Sequence, residues 1–103
     1  MNQKIKAIER KITAIKQQLL AIDEMRPGSL SRQKRARGTL YHQLSYWHDG
    51  KAHTEYVREE MVPMVRQQLD AYRSYRELNR AWTSLAIKLC KLKAEEARAG
   101  KGE

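Results

Sequence analysis

The chain has 103 residues, enough for one small domain, and its 21 Lys and Arg against 12 Asp and Glu give a net charge of +9. A chain of this length buries only about two thirds of its unfolded surface, so self-association or a partner is expected to add stability. The single cysteine, Cys90, excludes an internal disulfide, and no apolar run suits a membrane span or a signal peptide. These features predict a cytoplasmic protein with no membrane contact.

The first predicted element is a helix over residues 1–25. Apolar residues recur there at alternating steps of four and three, the a/d pattern of a heptad repeat: Met1, Ile5, Ile8, Ile12, Ile15, Leu19 and Ile22. A lone helix of this length with one apolar stripe is marginal in water, so the stripe needs an apolar partner. Pro27 and Gly28 are expected to end the helix.

A basic loop over residues 26–39 and a β-hairpin over residues 40–58 follow. The loop is predicted because residues 29–39 have no apolar period. The hairpin is predicted because apolar and polar residues alternate on both sides of a turn at Asp49 and Gly50.

The register of this hairpin depends on the turn. A three-residue loop with Gly50 in a left-handed bulge pairs Leu44 with Thr54, whereas a two-residue loop of Asp49 and Gly50 pairs Leu44 with Glu55. We favour the three-residue loop because the alternative mixes polar and apolar residues on each face. The favoured register gathers four residues on one face: Leu44, Tyr46, Ala52 and Tyr56.

The last predicted elements are a second helix over residues 59–98 and a tail over residues 99–103. Glu59 and Glu60 suit the start of a helix dipole, and Pro63 is tolerated in a first turn. The predicted fold is a single domain, mainly α with one two-stranded β-hairpin, in the order α-β-β-α. Its two long helices are expected to run antiparallel as a coiled-coil-like stalk.

Four stretches of the sequence occur together in a specific order. They are RPGSL at 26–30, YHQLSY at 41–46, GK with TEYV within 50–57, and VPMVR at 62–66. In this combination the chain resembles a family of small bacterial proteins of unknown function, with an expected link to mobile elements. Many members have a cysteine cluster between the first two stretches that resembles a zinc-binding knuckle. This chain has no cysteine there, so the resemblance implies no metal site and supports the fold rather than an activity.

The distribution of charge favours a nucleic-acid-binding accessory protein, with DNA preferred over RNA. Residues 26–58 contain seven basic and two acidic residues. Phosphates are expected to be held by Arg32, Lys34, Arg35, Arg37 and Lys51. Tyr41 and Trp47 are expected to contact bases or sugars, because exposed aromatic rings can stack on bases. Arg76 and Arg80, which have no acidic partner in reach on the second helix, are secondary candidates for phosphate contacts.

Two other classes of function remain. An oligomeric protein-interaction adaptor or inhibitor would use the helical stripe, with the basic charge steering it to an acidic protein partner. An enzyme is disfavoured because no catalytic constellation is found, and we predict no catalytic residue, cofactor or metal ligand. His42, His48 and His53 are interpreted as surface residues of the hairpin, without the spacing of a zinc site.

A homodimer is predicted at the far end of the second helix. Counting residues for an antiparallel pair aligns residues 62–86 with residues 25–1. Leu89, Cys90 and Leu92 would then extend beyond the first helix and form the oligomer interface, since an apolar end left in water forgoes stabilisation. Cys90 itself is interpreted as a buried thiol among these leucines.

Overall fold

The computed structural model of the chain describes residues 2–101. In chain order the elements are α1 (Gln3–Leu20), β1 (Ser29–Lys34), β2 (Leu40–His48), β3 (Lys51–Val57), a 3₁₀ turn (Glu59–Met61) and α2 (Val62–Lys101). They form two compact units. The helical unit contains residues 2–22 and 75–101 of the described chain, and the sheet unit contains residues 23–74.

Helix α1 is shorter than predicted. Its N-terminus is capped by Asn2, whose side-chain Oδ1 accepts a hydrogen bond from the Lys4 amide at 2.9 Å. The helix ends at Leu20 rather than at residue 25, and the predicted start at Met1 lies outside the described residues. After the helix, the backbone makes a tertiary hydrogen bond: the Arg26 amide donates to the Gln68 carbonyl of α2 at 3.2 Å.

The predicted antiparallel arrangement of the helices is found in the helical unit, but the predicted alignment is wrong. The Lys93 ammonium lies 3.7 Å from the Glu9 carboxylate, and the Lys16 ammonium lies 5.3 Å from the centre of the Trp82 ring. Residues near 93 therefore lie opposite the first half of α1. The predicted alignment began at residue 62, but the first three turns of α2 belong to the sheet unit rather than to the unit that contains α1. The buried residues of α1 are Ile8, Ile12 and Ile15.

The predicted basic loop is wrong over Ser29–Lys34, which form strand β1. This strand pairs antiparallel with β2, with Leu30 opposite Leu44, so the sheet has three strands in the order β1-β2-β3 rather than two. Only Leu30 is apolar in β1, so no alternation was visible in the sequence. Exposed Arg32 and Lys34 on an edge strand are typical, because charges there discourage pairing with another chain.

The hairpin of β2 and β3 is confirmed, but its predicted register is wrong. Leu44 lies opposite Glu55, as the rejected two-residue loop requires. Asp49 and Gly50 both have positive φ, 52° and 74°, which is the pattern of a type I′ turn. This turn matches the right-handed twist of the strands. This register places the Glu55 carboxylate on the same side of the sheet as Leu44, and its ion pair with Arg26 offsets the cost of that position.

The core of the sheet unit lies between one face of the sheet and the start of α2. Leu44 is completely buried, and it packs in a cluster with Val57, Val62 and Val65. The partly buried Leu30, Tyr46 and Leu69 pack around this cluster. We call this side of the sheet the core face.

Helix α2 differs from its prediction at both ends. A 3₁₀ turn over Glu59–Met61 precedes the helix, which begins at Val62. The helix continues to Lys101, so residues 99–101 are helical rather than a tail, and residues 102–103 lie outside the described chain. In the described chain, neither helix combines the length and the apolar character that crossing a bilayer requires.

Candidate functional site

The side of the sheet opposite the core face carries the most distinctive surface of the sheet unit. Strand alternation and the observed pairing bring ten side chains to it, and we call it the open face. They are Ser29, Ser31, Gln33, Tyr41, Gln43, Ser45, Trp47, Ala52, Thr54 and Tyr56. None of them is charged, and Trp47 and Tyr56 keep 67% and 60% of their surface exposed. The open face therefore offers aromatic rings and neutral hydrogen-bonding groups to a ligand.

Three residues form a stacked cluster at one end of the open face. The rings of Tyr41 and Tyr56 have their centres 6.2 Å apart with an interplanar angle of 36°. The guanidinium carbon of Arg35 lies 4.8 Å from the centre of the Tyr41 ring and 5.7 Å from that of Tyr56. Such cation–π contacts contribute about 0.5–1 kcal/mol each at exposed sites. One predicted phosphate ligand thus lies directly on the aromatic surface.

The turn between β1 and β2 holds Arg35 and Arg37. Its backbone is closed by two hydrogen bonds of 2.8 Å, from the Arg35 amide to the Thr39 carbonyl and from the Gly38 amide to the Arg35 carbonyl. We call residues 35–39 the basic turn. Gly38 has a φ of 83°, which a residue without a side chain adopts at little cost.

The other predicted phosphate ligands are dispersed. Arg32 and Lys34 are exposed on the edge strand, on the side of the core face. Lys51 lies at the far end of the sheet, opposite His48. Arg76 and Arg80 lie in the helical unit, both exposed, and no ion pair of the described chain includes either of them. The structure therefore brings Arg35 to Tyr41 and leaves Trp47 and Lys51 towards the other end of the sheet.

Tyr56 is the residue that the sequence interpretation missed. The wrong register placed it on the same face as Leu44, whereas the observed pairing places it opposite Gln43 on the open face. The signal that could have found it is the Asp49-Gly50 pair, which favours the two-residue turn.

A second cluster lies around Arg26 on the core face. Its guanidinium binds both carboxylate oxygens of Glu55, at 2.8 and 3.3 Å, and stacks 4.9 Å from the centre of the Tyr46 ring. The Tyr46 ring in turn stacks on His53, with centres 4.8 Å apart. The hydrogen bond from Arg26 is the main reason why the pKa of Glu55 is lowered, with one from Tyr46 second. The hydrogen bond with Glu55 is likewise the main reason why the pKa of Tyr46 is raised.

This cluster connects three stretches of the family resemblance. RPGSL supplies Arg26, YHQLSY supplies Tyr46 and TEYV supplies Glu55. The Glu55 carboxylate binds the edge of the Arg26 guanidinium, and the Tyr46 ring covers a face of it. The guanidinium therefore has little capacity left to bind a ligand. We therefore interpret the cluster as structural.

Acid is expected to weaken the sheet unit through Glu55. A lowered folded pKa means that Glu55 adds stability above its unfolded pKa of about 4.3, and this stability is lost as the pH falls through the folded value. The loss is expected to be below about 1 kcal/mol, because the carboxylate is partly exposed. Urea unfolding at several pH values between about 6 and 3 measures it.

The matched variants are Glu55→Gln and Glu60→Gln. Glu60 is an exposed carboxylate of the same unit, without an ion pair in the described chain. Glu55→Gln should reduce the loss of stability at low pH, whereas Glu60→Gln should leave that loss unchanged. Equal profiles for the two variants would contradict this role of Glu55.

No family model, curated protein or solved structure matches this chain. The family resemblance therefore depends on its motifs alone. Since a fold does not determine a function, the function has to be argued from the surfaces themselves.

Two further predictions about side chains are corrected. His42 is buried rather than on the surface, because it points to the core face opposite Val57. Cys90 is exposed rather than buried. Within residues 2–101, no group of three or more His, Cys, Asp or Glu side chains is placed to hold a metal ion.

The predicted oligomer interface has a different environment from the one expected. Leu89 and Leu92 are half-buried, and Leu92 is the neighbour of Lys93, which reaches Glu9 of α1. They do not extend beyond the first helix. The exposed apolar side chain of this region is Ile87, which lines a shallow surface groove together with Trp82 and Cys90.

Proposed function

We propose that this protein is a nucleic-acid-binding accessory protein that uses the open face and the basic turn, with DNA preferred over RNA. The observation that supports it most is the position of Arg35 on the Tyr41–Tyr56 pair, on a face without carboxylates. Aromatic rings on a sheet surface stack on bases, and an adjacent arginine can bind a phosphate or stack as well.

The groups around the rings could bind the other parts of a nucleic acid, which are its phosphates and the polar atoms of its bases and sugars. Arg37 of the basic turn, with Arg32 and Lys34 on the adjoining strand, supplies positive charge for phosphates at one end of the sheet. Serine, threonine and glutamine side chains of the open face can donate to and accept from bases and sugars without adding charge. Lys51 offers a further cation at the opposite end.

Loss of the basic turn and its strand should reduce the salt dependence of binding. Changing Arg32, Lys34, Arg35 and Arg37 to alanine should flatten the slope of log K against log salt by up to about three units, because each phosphate contact contributes about 0.7–0.9. A fluorescence anisotropy titration of a labelled oligonucleotide at several salt concentrations measures this slope.

The control removes the same charge from the helical unit. The four replaced residues, all exposed on α1, are Lys4, Lys6, Arg10 and Lys11. Equal losses for the two quadruple variants would mean that net charge alone is responsible, and the proposed interface would be wrong.

The helical unit favours a second candidate function, a protein-interaction adaptor. Ile87 is 54% exposed beside the groove that Trp82 and Cys90 line, so a second copy of the chain could dock there. The homodimer thus stays a prediction, with Ile87 and Cys90 in place of Leu89 and Leu92. An adaptor without nucleic-acid contact would show no salt-sensitive oligonucleotide binding in the titration above.

A further inference from the structure

We infer that the nucleic acid bound by the open face is single-stranded, with its bases stacked on Trp47 and on the Tyr41–Tyr56 pair. This inference rests on the proposed function and goes beyond it by naming the class of ligand. It is argued from the width of the sheet, the exposure and spacing of the rings, and the distribution of charge.

The width of the sheet disfavours a duplex. A two-stranded ribbon fits a major groove of about 12 Å. The third strand changes this, because strands about 4.8 Å apart put the outer backbones of β1 and β3 roughly 10 Å apart before any side chain is added. The open face is therefore too wide to enter a groove face-on.

The exposure of the rings favours unpaired bases. The faces of bases in a duplex are covered by their neighbours, and only an unstacked base can lie flat on an aromatic side chain. Trp47 and Tyr56 present most of their surface to solvent, although the Arg35 guanidinium lies 5.7 Å from the centre of the Tyr56 ring. Stacking on such rings contributes about 1–3 kcal/mol per base whatever its identity.

The spacing of the rings suits separate nucleotides of one strand. Trp47 pairs with Ala52, and Tyr56 pairs with Gln43, so the two levels are four residue steps apart along β2. This corresponds to about 13 Å along the strands. Trp47 and the Tyr41–Tyr56 pair therefore form two stacking platforms along one path over the sheet.

The charge on the open face is also low for a duplex. The face has no charged side chain of its own, and Arg35 reaches it only at the Tyr41–Tyr56 end. A duplex presents two phosphate backbones, whereas a single strand can direct its phosphates to the basic turn and the edges while its bases meet the rings. The salt dependence should accordingly come from the basic turn and the edges of the sheet, while stacking supplies much of the affinity.

The test uses Trp47 as its own reporter. The chain has two tryptophans, and Trp82→Phe removes the one in the helical unit. Titration of this variant with a thymidine oligonucleotide, a uridine oligonucleotide and a DNA duplex of equal length should quench Trp47 strongly with the single strands. We expect at least about tenfold tighter binding of a single strand than of the duplex, in keeping with base stacking.

Two variants locate the site. Trp47→Ala and Tyr56→Ala should each weaken single-strand binding by roughly 5- to 150-fold, measured by anisotropy of a labelled oligonucleotide. Leu40→Ala is the matched control, because Leu40 is an exposed apolar residue of the same strand that points away from the open face. Circular dichroism should show that all three variants are folded, since each replaced side chain is exposed.

The outcomes separate this inference from the proposed function. Duplex binding as tight as single-strand binding would overturn the inference and leave nucleic-acid binding standing. Single-strand binding that is unchanged in Trp47→Ala and Tyr56→Ala would overturn the stacking site. Uridine binding tighter than thymidine binding, with the same dependence on Trp47, would support the inference and reverse the preference for DNA. An absence of salt-dependent binding to all three oligonucleotides would overturn the proposed function itself.

Discussion

Leu44→Ala is expected to lower the free energy of unfolding of the sheet unit by about 2–5 kcal/mol. Leu44 is 0% exposed, and among the described residues it is the only large side chain with less than 2% of its surface accessible. Its removal would leave a cavity between β2 and the start of α2, where Val62 and Val65 pack. Small domains have only a few kcal/mol of stability, so the sheet unit could unfold outright.

Urea unfolding followed by circular dichroism and tryptophan fluorescence measures this loss. Leu40→Ala is again the control, since it shortens the same kind of side chain on the same strand and face where it is exposed. We expect it to change stability by less than about 0.5 kcal/mol. A Leu44→Ala variant that loses less than about 1 kcal/mol would contradict the central position of this side chain.

Gly28→Ala is expected to cost about 2–5 kcal/mol, for two separate reasons. Gly28 has a φ of 139°, a conformation that costs about 1–3 kcal/mol for other residues. A Cβ at this position would also lie 2.7 Å from Cδ1 of Leu44 and 3.1 Å from the Ser45 carbonyl oxygen, and such overpacking costs about 1–3 kcal/mol. The same urea unfolding measurement applies.

Gly50→Ala separates the two reasons. Gly50 also has a positive φ, 74°, but a Cβ there would meet no atom within 4 Å. It should cost only about 1–2 kcal/mol, so Gly28→Ala should be clearly worse. Because the nearest atom to the new Cβ belongs to Leu44, the double variant Gly28→Ala/Leu44→Ala should lose less than the sum of the single losses. Additive losses, or equal costs for the two glycines, would contradict the close packing of Gly28.

Gly28 also connects two of the stretches on which the predicted family resemblance depends. RPGSL and YHQLSY are separate in sequence, yet Gly28 of the first packs against Leu44 and Tyr46 of the second. Arg26 adds the stacking contact with Tyr46. The two stretches therefore specify one packing arrangement, which is a structural reason for their occurrence together.

Periodicity predicted the elements that bury a regular apolar stripe. The heptad of α1 and the alternation in β2 and β3 correspond to observed elements. Strand β1 was missed because an edge strand with one apolar residue, Leu30, shows no alternation. Its pairing depends on backbone hydrogen bonds to β2, and these do not require particular side chains that a sequence pattern would show.

The candidate site could be predicted only in part, because it depends on register. Alternation places Tyr41 and Trp47 on the face opposite Leu44 whatever the register, since all three belong to one strand. Tyr56 lies across a turn, and its assignment required the choice between two loops. The apolar pattern and the turn favour different loops, and the Arg26–Glu55 ion pair, which stabilises the observed register, joins residues 29 positions apart in the sequence.

Strand β2 supplies both Leu44 to the core and Trp47 to the open face, and this restricts how the protein can change in evolution. Because successive side chains point to opposite faces, inserting or deleting one residue within Leu40–His48 would exchange buried and exposed positions beyond that point. Binding preference can therefore diversify by substitution at alternate residues of the strand, but not by changes in its length. An insertion in the basic turn lies outside β2 and would leave the two faces of that strand unchanged, so its effect would fall on β1 and on Arg35 beside the Tyr41–Tyr56 platform.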